Sequence, residues 1–80
     1  MNAYLIDLYE KQHRVHSYIS HCADDDAAID EAALCLDQRP NATMAIVDVC
    51  EGPGRFRTVA TITENVLPIA VILEGEAHGL

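Results

Sequence analysis

Apolar and polar side chains alternate along residues 3–10, with Tyr4, Ile6 and Leu8 on one face and Asp7 and Tyr9 on the other. A period of two is typical of a strand that buries one face. A turn at residues 11–12 leads into a second strand, which predicts a β-hairpin. The predicted register pairs Glu10 with His13, Leu8 with Val15, Ile6 with Ser17, Tyr4 with Ile19, Asp7 with His16, and Leu5 with Tyr18. It leaves Tyr9 and Tyr18 on the outer face of the sheet.

A helix is predicted after this hairpin. Aspartates at residues 24–26 stand where a cap and a first turn favour anions, and an alanine-rich segment follows. Because a residue before proline is pushed out of the α region, Arg39 before Pro40 ends the predicted helix near Gln38. The apolar positions that share one stripe of this helix are Ile29, Ala32, Ala33 and Leu36.

Residues 43–50 and 56–63 predict a second hairpin around the turn Glu51-Gly52-Pro53-Gly54, where the glycines and the proline supply the dihedral angles. Placing Val49 opposite Phe56 brings Asp48 opposite Arg57, which predicts a cross-strand ion pair. The face of Val49 in this register also carries Ala45, Val47, Thr58, Ala60 and Ile62.

Residues 66–73 form a further apolar block that predicts a fifth strand, and residues 75–80 are expected to be a loose tail. The order ββαββ, with this candidate fifth strand, predicts an α+β domain over residues 1–74: a small antiparallel sheet with one helix packed on one face. Met44, Ile46 and Val59 give the other face more apolar surface than a solvated sheet usually shows. We therefore expect the sheet to pair with a partner or, as a homodimer, with itself.

Charge narrows the classes of partner. The 80 residues include 13 acidic and 5 basic side chains, for a formal net charge of −8. Surfaces that bind phosphate backbones need clustered Lys and Arg, so neither direct binding to nucleic acid nor binding to an anionic membrane is expected. The acidity suits either solubility or a basic protein surface.

The cysteines and the apolar runs indicate the compartment. Cys22, Cys35 and Cys50 are odd in number and have no short pair spacing, and no signal-like segment opens the sequence. The expectation is a reduced, cytoplasmic protein. The longest apolar run, residues 66–73, is far shorter than the roughly 20 residues that span a bilayer, so no transmembrane segment is predicted.

Few residues suggest catalysis or metal binding. His13 and His16 point to opposite faces of a strand because their separation is odd, and no zinc-type pair spacing occurs. Cys22 lies just before an acidic helix start, where the negative field opposes thiolate formation. We expect no enzymatic activity, no metal and no cofactor.

The most distinctive chemical feature is the charge of the predicted helix. It carries carboxylates and no basic side chain between residues 24 and 37. This surface is either a solvated helix face or an anionic docking surface that imitates nucleic acid and competes for a basic groove. Tyr is favoured at interface hot spots, so two tyrosines join the candidate contacts. The candidate partner-binding residues are Asp24, Asp25, Asp26, Asp30, Glu31, Asp37, Tyr9 and Tyr18.

The opening Met1-Asn2-Ala3-Tyr4-Leu5-Ile6-Asp7, followed by a second strand and an Asp- and Ala-rich helix, resembles the start of small phage-encoded anti-CRISPR proteins directed at type I systems. The resemblance covers roughly the first half of the chain and transfers no catalytic residue. It implies a stoichiometric inhibitor that occupies a subunit of the RNA-guided surveillance complex, or its nuclease, and blocks DNA recognition or cleavage in the host cytoplasm.

Other classes remain open. The order of elements also resembles small antitoxin domains, which neutralise a basic toxin by complementary charge, although no basic helix-turn-helix for autoregulation is present. A small structural or oligomerising domain is a further alternative. A small-ligand or flavin-binding oligomer is a third class, which the absence of Trp and of a clear aromatic cage disfavours.

Overall fold

The computed structural model describes residues 1–64 and 69–73, with side chains described over residues 1–63. Five strands form one antiparallel sheet in the order β2-β1-β3-β4-β5, and one helix packs on one face. The elements are β1 (Asn2–Glu10), β2 (His13–Cys22), α1 (Asp25–Asp37), β3 (Met44–Gly52), β4 (Arg55–Glu64) and β5 (Ile69–Leu73). The predicted ββαββ order and α+β class are confirmed, and β5 supplies the fifth strand. The predicted tail, residues 75–80, lies outside the described residues.

The core lies between α1 and the inner face of the sheet. Tyr4, Ile6 and Leu8 of β1 are fully buried there, as the alternation predicts. The helix contributes Ala28, Ala32 and Leu36, while Ile29 and Ala33 are only partly buried. The buried face of α1 is therefore rotated by part of a turn from the predicted stripe. Small alanine side chains at positions 28 and 32 let the helix lie closer to the sheet than Ile29 would.

Both ends of α1 follow the local sequence signals. The backbone N–H of Ala27 donates to Asp24 Oδ1 at 2.9 Å, so Asp24 is the N-cap. At the other end, the backbone N–H of Gln38 donates to the carbonyl of Leu34 at 3.0 Å. Gln38 is the C-cap, as Pro40 requires.

The first hairpin contains a β-bulge that the sequence did not predict. Glu10 faces His13 as expected, but the register shifts between Leu8 and Tyr9, so that Leu8 faces His16 and Val15 is left unpaired. Beyond this point Ile6 faces Tyr18, Tyr4 faces Ser20, and Asp7 faces Ser17 rather than His16. The predicted register was wrong here, because one extra residue exchanges the two faces of the strand.

The second hairpin also departs from the predicted register. Its turn is only Pro53-Gly54, and Gly54 adopts the left-handed conformation with φ of 70°. Asp48 faces Thr58, whose hydroxyl donates to Asp48 Oδ1 at 2.6 Å. The predicted Asp48–Arg57 ion pair is therefore wrong, and Arg57 Nε lies 2.8 Å from Glu51 Oε2 instead.

The second hairpin has two irregularities of register, one at Glu51 of β3 and one in β4, and the one in β4 returns the later residues to the predicted face. Ala60 faces Val47 and Ile62 faces Ala45, and these side chains are buried on the inner face as expected. Val59 is left unpaired between Thr58 and Ala60. Thr58 was wrongly placed on the inner face, because this extra residue turns it to the side of Asp48.

Candidate functional site

Two carboxylates at the N-terminus of α1, those of Asp24 and Asp25, accept hydrogen bonds that stabilise the fold. Asp24 caps the helix, and Asp25 accepts a hydrogen bond of 2.6 Å from the hydroxyl of Tyr4. Tyr4 is fully buried, and its pKa is raised by that burial and by the bond to Asp25. This bond ties the first turn of the helix to β1, so Asp25 has a structural partner as well as an exposed surface.

Glu31 lies at the centre of a second polar network between α1 and the edge strand β2. Its Oε2 accepts a hydrogen bond of 2.7 Å from the Tyr18 hydroxyl, and its Oε1 accepts one of 2.8 Å from Ser20. The thiol of Cys22 approaches the same Oε1 at 3.7 Å. These donors, Tyr18 foremost, lower the pKa of Glu31 below its usual value.

The hydroxyl group of Tyr18 contacts two side chains of α1, those of Glu31 and Cys35. The Cys35 sulfur lies 3.1 Å from the hydroxyl oxygen. Either atom can be the donor in this contact. Burial, followed by these two contacts, raises the pKa of Tyr18 well above the usual tyrosine range. Tyr18 therefore does not lie on the outer face, where the predicted register had put it.

Tyr9 lies on the opposite face of the sheet. It alternates with Leu8 along β1 and is partly buried. The structure therefore separates the two tyrosines that the sequence had grouped together as contacts. Only Tyr9 remains on the side of the sheet away from α1.

The remaining acidic residues form one exposed line along α1. At 3.6 residues per turn, Asp26, Asp30 and Asp37 fall within about 40° of one another around the helix axis, and we call these three residues the acidic stripe. All three are exposed, and the last turn of α1 contains no basic residue. Leu34 lies beside the stripe with 57% of its surface exposed.

A shallow groove of about 450 Å³ lies between the end of α1 and β2. It is lined by His16, Tyr18, Cys35, Gln38 and Arg39. The rings of His16 and Tyr18 are in contact, with centroids 5.3 Å apart. Sequence reasoning missed this groove because it exists only with the bulge at Val15, which turns His16 and Tyr18 toward the helix.

Cys22 and Cys35 both contact the network of Glu31 and Tyr18, whereas Cys50 contacts the carbonyl of Gly52. Cys22, Cys35 and Cys50 are free thiols. Within the described residues, His, Cys, Asp and Glu side chains form no group of three or more that could hold a metal ion. In that same part of the chain, no helix is long and apolar enough to cross a membrane.

Comparison with known proteins gives no match: no family model, no curated protein and no solved structure is significantly similar to this chain.

Proposed function

We propose that this protein is a non-enzymatic inhibitor whose acidic stripe binds a basic surface on a protein of a type I CRISPR surveillance complex, or on its nuclease. Occupation of that surface blocks DNA recognition or cleavage in the host cytoplasm. The observation that carries the proposal is the exposed line of Asp26, Asp30 and Asp37 beside the exposed Leu34.

The stripe differs from an ordinary solvated helix face in its charge pattern. A Lys or Arg three or four residues from an acidic residue stabilises a helix, whereas like charges four residues apart, such as Asp26 and Asp30, destabilise it. Here the only ion pair among residues 1–63 is Glu51 with Arg57, away from the stripe. A basic partner removes this repulsion on binding, while Leu34 supplies apolar area that becomes buried.

The choice of target is supported by two arguments. The opening sequence Met1-Asn2-Ala3-Tyr4-Leu5-Ile6-Asp7 resembles that of anti-CRISPR proteins directed at type I systems. RNA-guided complexes also hold their nucleic acids in positively charged channels, which an acidic domain of this size could enter. The stripe then competes with the DNA rather than binding to it.

The test is a binding and cleavage assay with a purified type I surveillance complex, its nuclease and target DNA. The variant carries Asp26→Lys, Asp30→Lys and Asp37→Lys, which changes the formal charge from −8 to −8 + 6 = −2. Glu31 is left intact because it accepts the bonds from Tyr18 and Ser20. We expect the wild type to bind and inhibit, and the variant to bind at least tenfold more weakly.

The matched control carries Glu10→Lys, Glu74→Lys and Glu76→Lys, which gives the same net charge and leaves α1 unchanged. Retention of inhibition by this control assigns the effect to the stripe rather than to total charge. Equal loss in both variants would contradict a role for the stripe. A wild type that binds neither the complex nor the nuclease would contradict the choice of target.

An antitoxin role is the second candidate, since the same stripe suits a small basic toxin. Co-purification of the tagged protein with a basic protein encoded beside it, lost in the stripe variant, would favour that role. If the protein instead has a small structural or oligomerising role, it should bind neither a CRISPR protein nor a toxin. The stripe variant should then behave like the wild type in every assay.

A further inference from the structure

Asp7 is a buried carboxylate on the side of the sheet away from α1. It lies on β1, between Ser17 of the edge strand β2 and Ile46 of β3. Only 6% of the residue is exposed, and its Oδ1 has no hydrogen-bond donor. A buried carboxylate oxygen without a donor opposes folding, because water no longer solvates it and nothing replaces the water. Such a group in a native protein requires an explanation.

Ser17 faces Asp7 on β2, and the other immediate neighbours of Asp7 on this face are apolar or aromatic. Leu5 and Tyr9 flank it along β1 and Ile46 faces it across the sheet, and each of these partly buried side chains is longer than aspartate. The carboxyl group therefore lies below the tips of its neighbours. We call the sheet face around Asp7, formed by Leu5, Asp7, Tyr9, Ile46 and Asp48, the outer patch.

A second carboxylate lies one diagonal step away in the outer patch. Asp48 faces Leu5 across β1 and β3, so it shares this face with Asp7. Unlike Asp7, it already accepts a hydrogen bond, from Thr58. Arg14, which faces Tyr9, is a cation near the patch, but it forms no ion pair with Asp7. The outer patch is thus an apolar surface with negative charge at its centre.

The carboxylate of Asp7 limits which partners can bind the outer patch. Two copies meeting by this face around a two-fold axis would bring identical central regions, each with Asp7, against each other. Like charges placed opposite one another are destabilising, so a second copy fits poorly. A segment with a Lys or Arg flanked by apolar side chains complements both the charge and the apolar rim.

We infer that the outer patch is a protein-docking surface for a segment that presents a Lys or Arg side chain between apolar residues, with Asp7 as its acceptor. The acidic stripe lies on the opposite side of the sheet, so this inference does not rest on the proposed function. The protein then has two separate protein-binding surfaces, one on each side of the sheet.

The first test uses the peptide Ac-Leu-Arg-Leu-NH2 as the probe and Ac-Leu-Gln-Leu-NH2 as its matched control, titrated into the isotope-labelled full chain and followed by NMR. We expect the arginine peptide to shift the amide resonances of Leu5, Asp7 and Ile46, and not those of Asp26 and Asp30. The glutamine peptide should bind at least tenfold more weakly. Shifts confined to the stripe, equal shifts from both peptides, or no shifts at all would overturn the inference.

The second test removes the charge of Asp7 with little change of shape. Asp7→Asn should weaken arginine-peptide binding about tenfold or more, since it removes a charged acceptor. The same change should raise the urea midpoint of unfolding, because the free protein no longer buries an unpartnered charge. Asp48→Asn is the control and should lower the midpoint, since Thr58 loses a charged acceptor. A lower midpoint for Asp7→Asn would overturn the inference, because it would mean that the fold itself satisfies this carboxylate.

Discussion

Replacement of Glu31 by alanine is the perturbation whose effect the structure defines most sharply. Glu31 accepts hydrogen bonds of 2.7 Å from Tyr18 and 2.8 Å from Ser20, and a weaker contact from Cys22. The change removes the acceptor of all three donors at once. The partly buried Tyr18 hydroxyl then loses its only carboxylate partner. The link between α1 and β2 should weaken accordingly.

The magnitude follows from the two short bonds. A hydrogen bond to a charged group contributes about 1.5–3 kcal/mol, and the lower figure applies because Glu31 is partly exposed and water replaces some of the loss. The two bonds together give a destabilisation of about 3 kcal/mol. A chain of 80 residues has a total stability of roughly 4–12 kcal/mol, so this loss is at least a quarter of it.

The assay is urea unfolding followed by circular dichroism, with Asp30→Ala as the matched control. Asp30 is the preceding residue of the same helix and is exposed, so its replacement should change stability by no more than about 0.5 kcal/mol. Comparison of the two variants largely cancels the gain in helix propensity from alanine. If Glu31→Ala were as mild as Asp30→Ala, the reasoning about this network would be refuted.

Three further results are expected. The pKa of Glu31 is lower in the folded state than its usual value of 4.5, so the ionised side chain stabilises the fold fully above pH 4.5. That stabilisation is lost as the pH falls through the folded-state pKa. Glu31→Gln should therefore flatten the acid limb of a curve of stability against pH. Gly54→Ala should destabilise by about 1 kcal/mol because φ there is 70°, whereas Gly52→Ala, which has room for a Cβ at ordinary φ, should cost less in the same urea titration. Tyr4→Phe should cost about 1–2 kcal/mol through the lost bond to Asp25, and a double-mutant cycle with Asp25→Asn should show coupling between the two changes.

The predicted elements that proved correct are those encoded by nearby residues. The alternation in β1 identifies its buried face, since Tyr4, Ile6 and Leu8 are fully buried. The helix limits follow from the Asp24 cap and from the proline at position 40, which act within a few residues of their position. These signals need no knowledge of the rest of the chain, and they determine the ββαββ order.

The predicted acidic surface proved to be two different groups of residues. Asp26, Asp30 and Asp37 are exposed, as a docking surface requires. Glu31, by contrast, accepts from Tyr18 and Ser20 across the gap between helix and sheet. Spacing along the helix could not separate these groups, because the distinction depends on which donors β2 presents to it.

The elements, their order, the limits of the helix and the buried face of β1 follow from local periodicity, capping and turn chemistry, so they can be predicted from the sequence. The strand registers depend instead on contacts across the whole sheet. The unpaired Val15, Glu51 and Val59 each shift a register by one residue, and a shift of one residue exchanges the faces of a strand. That exchange brings Tyr18 to Glu31. The burial of Asp7 beneath its neighbours likewise depends on strands that are far apart in the chain.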